Sequence, residues 1–372
     1  MTALDELTRP AGADDVVGGV PARLVAAPRS TAEAAALLAA TQDLTVVVRG
    51  AGTKLDWGPP PRSLDLIIDT GNLSGVVEHA AGDLITIVRA GTPLQALDLG
   101  DQLLALDGPE GATIGGTVAT ATSGPRRLHY GGVRDLLIGI TVVRADGKVA
   151  KSGGKVVKNV AGYDLGKLYT GSYGTLGLIT ECAFRLHPRP QRALFVRAVA
   201  PPADAARIRA AAVAPAAIEI DSACGELATL LEGTPDGVRE RARILEKLLG
   251  GEISDEAPAW WGVAPWAPGG IGVKLSVPLS AVPAIASGPD PVRGSAGTGI
   301  LYAGAAGITG VERLRAACVR LGGHAVVLTA PPEVRDILDM WGPTPGLPLM
   351  RRVKDQFDPG HRFAPGRFVG GI

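Results

Sequence analysis

The sequence predicts an α+β protein in two parts, and three observations carry that reading. Glycine comes in bursts beside short β-branched runs between Val46 and Pro188, as in VVVRGAGTKLDWG, GATIGGTVATATSG and GSYGTLGLIT. Pro188, Pro190, Pro201 and Pro202 bracket a single strand-like run, Ala193–Ala198, and mark a boundary in mid-chain. Beyond them the texture changes to alanine-rich helical stretches alternating with apolar strands. At 372 residues the chain is long enough for two domains and a substantial core.

Arg29–Ala40 reads as a helix, with Ser30 or Thr31 as N-cap and an alanine–leucine body. Thr45–Val48 is a short strand that runs straight into RGAGTK, and Leu64–Asp69 and Leu84–Arg89 are further strands. Thr92-Pro93 has the form of a cap and first position for a short helix, Leu94–Gly100. Ile138–Arg144 and Lys148–Lys151 flank Ala145-Asp146-Gly147, where Asp-Gly marks a hairpin turn. Asp164–Tyr169 is expected to make a helical turn before GSYGTLGLIT returns to strand, with Asp164 as its cap.

In the second part, Ala203–Ala212, Pro235–Leu249 and Gly310–Leu321 read as helices, and Gly270–Val277, Gly299–Ala303 and Ala325–Thr329 as strands. Pro258–Gly269 and Ser287–Thr298 are rich in proline and glycine and are expected to be exposed loops.

Bulk composition excludes several classes. The 37 basic and 37 acidic residues cancel, so the chain lacks the electrostatic footprint of a nucleic-acid binder. Cys182, Cys224 and Cys318 lie far apart with no CxxC pair, against a four-cysteine iron–sulfur cluster or a disulfide scaffold. The start, MTALDELTRPAGADD, lacks the basic and apolar regions of a signal peptide. No run approaches the roughly 20 apolar residues of a membrane span. The expectation is a cytoplasmic protein without a direct membrane span, with attachment to a membrane through a partner left open.

Three constellations can carry chemistry. In Arg49–Lys54, successive backbone N–H groups at permissive residues make an anion-binding nest, to which Lys54 adds a cation. The spacing is neither GxxxxGK[ST] nor GxGxxG, so a plain turn is an equal reading of this segment alone. The second runs from Thr113-Ile114-Gly115-Gly116 through Ser123-Gly124 to His129-Tyr130-Gly131-Gly132 and Asp135; its small residues let a flat ring or polyol chain approach the main chain. The third is Asn159–Asp164 with Gly171–Gly177. Structural glycines would explain any one block, but not all three in order downstream of a phosphate-type nest.

Residues from about Val20 to Pro188 resemble the FAD-binding domain of the vanillyl-alcohol oxidase and p-cresol methylhydroxylase (PCMH) type, nearest within it to the FAD-binding subunit of bacterial glycolate oxidase. RGAGTKLDWG is similar to the pyrophosphate loop of that family, and GATIGGTVAT, VRDLLIG and NVAGYDLGKLYTGSYGTLGLITE to its flavin-contacting segments. The closing DQFDPGHRFAPGRF resembles the tail of such chains. The resemblance implies a two-lobed FAD-binding domain at residues 1–190, a smaller α+β cap at 191–345, and a tail at 346–372 that packs back on the FAD domain. It implies that Gly50, Ala51, Gly52, Thr53 and Lys54 hold the pyrophosphate. Thr113, Ile114, Gly115, Gly116, Ser123 and Gly124 would line the ribityl chain and ring edge, and Gly174, Thr175, Gly177 and Ile179 would pass beside the flavin. Relatives that tether FAD do so through histidine or cysteine. Val46–Gly58 has neither and Gly111–Asp135 offers only His129, so non-covalent FAD is expected.

Oxidising a 2-hydroxy acid needs a carboxylate clamp, a base for the hydroxyl proton and a two-electron acceptor. Arg126, Arg127, Arg351 and Arg352 are candidate clamps. Relatives acting on 2-hydroxy acids carry a metal-binding HGHxGDG sequence, which is missing here, so no metal site is expected and no catalytic residue is assigned. His324 is isolated, His361 and Arg362 lie in the tail, and Tyr163 and Asp164 lie inside a family motif. Trp260, Trp261 and Trp266 form an aromatic loop that either lines a pocket or partner surface or is a local buried cluster. The resemblance implies an FAD-binding subunit of a complex oxidising glycolate to glyoxylate, with a second FAD-binding catalytic subunit and an iron–sulfur subunit as partners. The alternatives are a self-sufficient FAD-dependent 2-hydroxy-acid dehydrogenase and a non-catalytic flavin-carrying subunit.

Overall fold

In a computed structural model, residues 7–155 and 163–372 are described. The chain forms two compact units, one of Met1–Thr122, Gly132–Pro188 and Pro343–Ile372, the other of Ser123–Gly131 and Arg189–Gly342.

The first unit holds two sheets. One has four strands in the order Arg9–Pro10, Leu24–Ala26, Leu66–Asp69, Val46–Arg49, and both pairings to Leu66–Asp69 beyond the edge strand are parallel. Helix Thr31–Ala40 lies between two of these strands in sequence, as a parallel connection requires. Ser30 caps it, its hydroxyl accepting from Glu33 N at 3.1 Å, while the Glu33 carboxylate accepts from Arg29 N. Ala34, Leu37 and Leu38 of the helix pack with Val46, Leu66, Ile68, Leu178 and Phe363.

The other sheet is antiparallel, in the order Val149–Gly153, Leu137–Val143, Leu178–Arg185, Ile85–Arg89, Val76–Ala80. The Asp146-Gly147 hairpin forms as expected, with Gly147 at φ +78° and the Asp146 carboxylate accepting from Lys148 N. Two local expectations fail. Leu94–Gly100 is not a helix but a single 3-10 turn, Leu94–Ala96, because the Thr92 hydroxyl donates to Arg89 O at 2.8 Å and accepts from Gly75 N instead of capping. Asp164 precedes helix Leu165–Tyr169 without a side-chain cap bond, since Ser152 Oγ takes Leu165 N at 3.0 Å and Asp164 pairs with Lys167.

Helix Leu347–Phe357 and the tail after it belong to this unit. Val46 N donates to Arg362 O and Ala364 N to Val46 O, which threads the tail beside the parallel strand. Arg362 is buried and donates to the carbonyls of Leu38, Thr41, Leu44 and Ala145.

The second unit is built on an eight-stranded antiparallel sheet, ordered Glu252–Ser254, Arg192–Val199, Glu226–Gly233, Ala217–Asp221, Val292–Ser295, Ile300–Ala305, Ile271–Ser276, His324–Thr329. Helices Pro235–Leu249 and Gly307–Arg320 bury Val238, Ala242, Leu245, Val311, Leu314 and Cys318 against Val196, Ile218, Val273 and Leu301. The composition of Ser287–Thr298 predicts one exposed loop. Val292–Ser295 is instead an interior strand, because the ladders of Ala217–Asp221 and Ile300–Ala305 on its two sides supply its backbone bonds. The tryptophans pack on this unit's own sheet: Trp260 donates to Glu226 at 2.6 Å, Trp261 meets Phe195 edge-on at 5.1 Å, and Trp266 lies beside Tyr302. Ser123–Gly131 is held by Arg126 and Tyr130 on Glu232 and by the Tyr302 hydroxyl on Ser123 O.

Candidate functional site

Strand Val46–Arg49 delivers the chain into a loop whose first residues have almost no side-chain bulk. A Cβ on Gly50 would stand 2.3 Å from Thr113 Oγ1, so only glycine lets the loop pass this close. Thr113 is fixed in turn as the N-cap of helix Ile114–Thr120, accepting from Gly116 N at 3.3 Å. Gly52 sits at φ +78°, and Leu55 N on Gly52 O and Trp57 N on Lys54 O close two successive turns.

Around this loop lies a cleft that is open to solvent on one side. Its walls come from the strand end and loop (Val47, Val48 and Gly50–Leu55), Thr70 and Ala90, Thr113 and the helix residues Gly115, Gly116, Ala119 and Thr120, the turn Tyr173-Gly174, Gly177 and Ile179, and Arg367 of the tail. Tyr173 adopts φ +55°, uncommon for a bulky residue, and is secured by its N–H on Ala119 O at 2.8 Å and its ring against Phe368.

Lys54 is 8 % exposed. Its ammonium has Thr53 Oγ1 at 3.4 Å and the Trp57 ring at 5.9 Å, and no carboxylate among the described residues pairs with it. Burial alone pushes its pKa down to about 8. The wall carries backbone, threonine hydroxyls, the Tyr173 phenol, one ammonium and one guanidinium, with no carboxylate, histidine or cysteine among its described residues. Such a surface accommodates an anion joined to an apolar, flat group.

Of the residues singled out from sequence, the cavity brings together Gly50, Ala51, Gly52, Thr53, Lys54, Thr113, Gly115, Gly116, Gly174, Gly177 and Ile179. Ile114 is fully buried in the core, and the Thr175 hydroxyl donates to Ser172 O; neither lines the cavity. Ser123 and Gly124 belong to the second unit. Asn159–Gly162 of the third constellation lies outside the described residues, and neighbouring Tyr163 is 90 % exposed.

Of the candidate clamps, Arg126 pairs with Glu232 and Arg127 reaches Ser123 Oγ within the second unit, Arg351 reaches Gly370 O, and Arg352 is exposed. His361 pairs with Asp355. No group of three metal-ligating side chains occurs among the described residues. Sequence reasoning missed Tyr173 and Arg367, although both sit inside quoted motifs; Thr70 and Ala90 carry no local signal.

Residues 22–153 match the family described as FAD binding domain. The chain is 40 % identical over 159 residues to glycolate oxidase subunit GlcE of Escherichia coli (strain K12), covering 41 % of this chain and 45 % of that protein. It is 34 % identical over 208 residues to glycolate oxidase subunit GlcD of Bacillus subtilis (strain 168), covering 52 % and 44 %. The chain thus spans less than half the length of these curated relatives. Among solved structures, alkyldihydroxyacetonephosphate synthase superposes over 94 % of this chain and 78 % of that one, with TM-score 0.67 and 16 % identity, a likeness of fold.

Proposed function

We propose, from the match of residues 22–153 to the FAD binding domain family, that the chain is an FAD-dependent oxidoreductase subunit acting on the CH–OH group of a 2-hydroxy acid. Its place is the FAD-binding subunit of a complex that oxidises glycolate to glyoxylate. A second FAD-binding subunit carries catalysis, and an iron–sulfur subunit takes the electrons. The reading is supported by the relatives' names, both glycolate oxidase subunits.

One observation carries the cofactor assignment. A buried ammonium with no counter-ion is costly, and Lys54 beside the Gly50–Thr53 backbone has none among the described residues; the diphosphate of FAD would neutralise it. Gly50–Lys54 would hold the pyrophosphate, Thr113, Gly115 and Gly116 the ribityl chain, and Gly174, Gly177 and Ile179 the edge of the ring. The bound flavin would supply the two-electron acceptor. The residues around it would bind, orient and shield it: Val47, Leu55, Ala90 and Ile179 provide apolar wall that excludes water. Attachment is non-covalent, because the wall offers no histidine or cysteine among the described residues.

Purified chain should be yellow, and acid precipitation should release all the flavin to the supernatant; colour retained on the pellet would overturn non-covalent binding. Purification from the native cell should bring down a second flavoprotein and an iron–sulfur protein. Anaerobic glycolate should bleach the flavin of that complex and leave that of the lone chain oxidised. A lone, fully active monomer would overturn the subunit assignment.

A further inference from the structure

We infer that Arg367 is a positioning residue for the cofactor loop: from the C-terminal tail it fixes the turn that presents the Lys54 ammonium. The inference rests on the cavity being the FAD site. Arg367 lies 310 residues from Trp57 in sequence, yet one of its terminal nitrogens donates to Leu55 O at 2.8 Å and to Trp57 O at 2.7 Å. It is 4 % exposed and lines the cavity.

The loop's internal bonds, Leu55 N to Gly52 O and Trp57 N to Lys54 O, close each turn and use the Gly52 and Lys54 carbonyls. Arg367 satisfies the Leu55 and Trp57 carbonyls with one planar, permanently charged group. Trp57 is thereby fixed, and its ring sits 5.9 Å from Lys54 Nζ, beneath the ammonium. Arg367 is itself located by its neighbours: its N–H donates to Ala364 O, and the ring of Phe368 next to it lies 5.7 Å from that of Tyr173, tilted by 34°. Loop, tail and turn therefore close on one another around the cavity, and loss of the guanidinium frees the loop while leaving the core in place.

The test compares wild type, Arg367→Ala and Arg362→Ala. The two readouts are hydrogen exchange of the amides at residues 52–58 without cofactor, and FAD affinity by flavin fluorescence. Arg367→Ala should speed exchange in that loop, lower the cofactor-free melting temperature less than Arg362→Ala does, and raise the FAD Kd by about tenfold or more. Added guanidinium ion should restore part of the affinity. Arg362→Ala, which removes a buried group that satisfies core carbonyls, should instead lower the melting temperature of the whole unit. Unchanged loop exchange in Arg367→Ala overturns the inference, as does an unchanged Kd or a global loss of stability like that of Arg362→Ala. If wild type takes up no FAD, the functional reading fails, and loop exchange alone then decides whether Arg367 holds the loop.

Discussion

The Lys354 ammonium and the Asp358 carboxylate form an ion pair at 2.7 Å with both side chains buried, one turn apart at the end of helix Leu347–Phe357. Lys354 also donates to Thr175 O at 2.7 Å and to Phe363 O at 2.9 Å, and Asp358 accepts from Phe363 N at 2.7 Å. One charged pair thus ties the Ser172–Gly177 turn, next to the cavity, to the tail that carries Arg367. Lys354→Met strands a buried carboxylate and should cost about 3–5 kcal/mol in a urea melt. Lys354→Met with Asp358→Asn, which keeps an acceptor for Phe363 N, should recover most of that loss. Equal melting of the single and double variants would contradict the pair's role.

Lys54 sets a pH dependence. Its folded pKa of about 8 lies below the ordinary 10.5, so without cofactor the protein carries the burial penalty below pH 8 and gains stability from pH 8 to 10.5. FAD needs the protonated form, so its affinity should fall as pH rises above 8 while the cofactor-free melting temperature rises. Lys54→Met should weaken FAD binding at pH 7 and flatten both trends. Parallel pH profiles for wild type and Lys54→Met would remove Lys54 from the site.

Gly50→Ala drives a Cβ to 2.3 Å from Thr113 Oγ1, a contact that cannot be accommodated without moving the loop or the helix cap. FAD retention should be lost. Gly50→Ala with Thr113→Ala removes the obstructing hydroxyl and should regain part of the flavin, at about 1 kcal/mol of helix stability for the missing cap. Flavin content after gel filtration reports both outcomes.

Asp15 accepts from Gly12 N, and its carboxylate also receives Arg9 and Arg49, each at 2.9 Å. The bond from Gly12 N, followed by those from the arginines, holds its pKa down at about 2, against an ordinary 3.8. A carboxylate with a depressed folded pKa contributes stability in full above 3.8, and that contribution disappears as pH falls toward 2. Asp15→Asn should therefore lower the melting temperature at pH 6 and reduce its further decline between pH 4 and 2. An unaltered acid limb would show that this carboxylate does not hold Arg49, the residue that opens the cofactor loop.

Legibility followed the range of the interactions. Helix Thr31–Ala40 was readable because its cap and body lie within a dozen residues. Ala217–Asp221, buried at every position, lacks the alternation that reveals a half-exposed strand. Val292–Ser295 looks like a loop by composition, and only its two neighbours in the sheet make it a strand. At the site, Gly50–Lys54 stood out because backbone-led binding leaves a dense local pattern. Arg367 and Tyr173 were within the quoted motifs, but their places on the wall depend on contacts across the fold.

The sequence by itself determined the presence of a backbone-lined anion loop, the small-residue segment facing it and a tail of the same family type, because glycine, threonine and cap residues act through their immediate neighbours. The tertiary structure decided which of those residues share one cavity, that Lys54 is buried there with no carboxylate among the described residues paired to it, and that Arg367 holds the loop. Charge state and hydrogen-bond satisfaction depend on what surrounds a group in space, and at this site residues about 310 positions apart supply that surrounding.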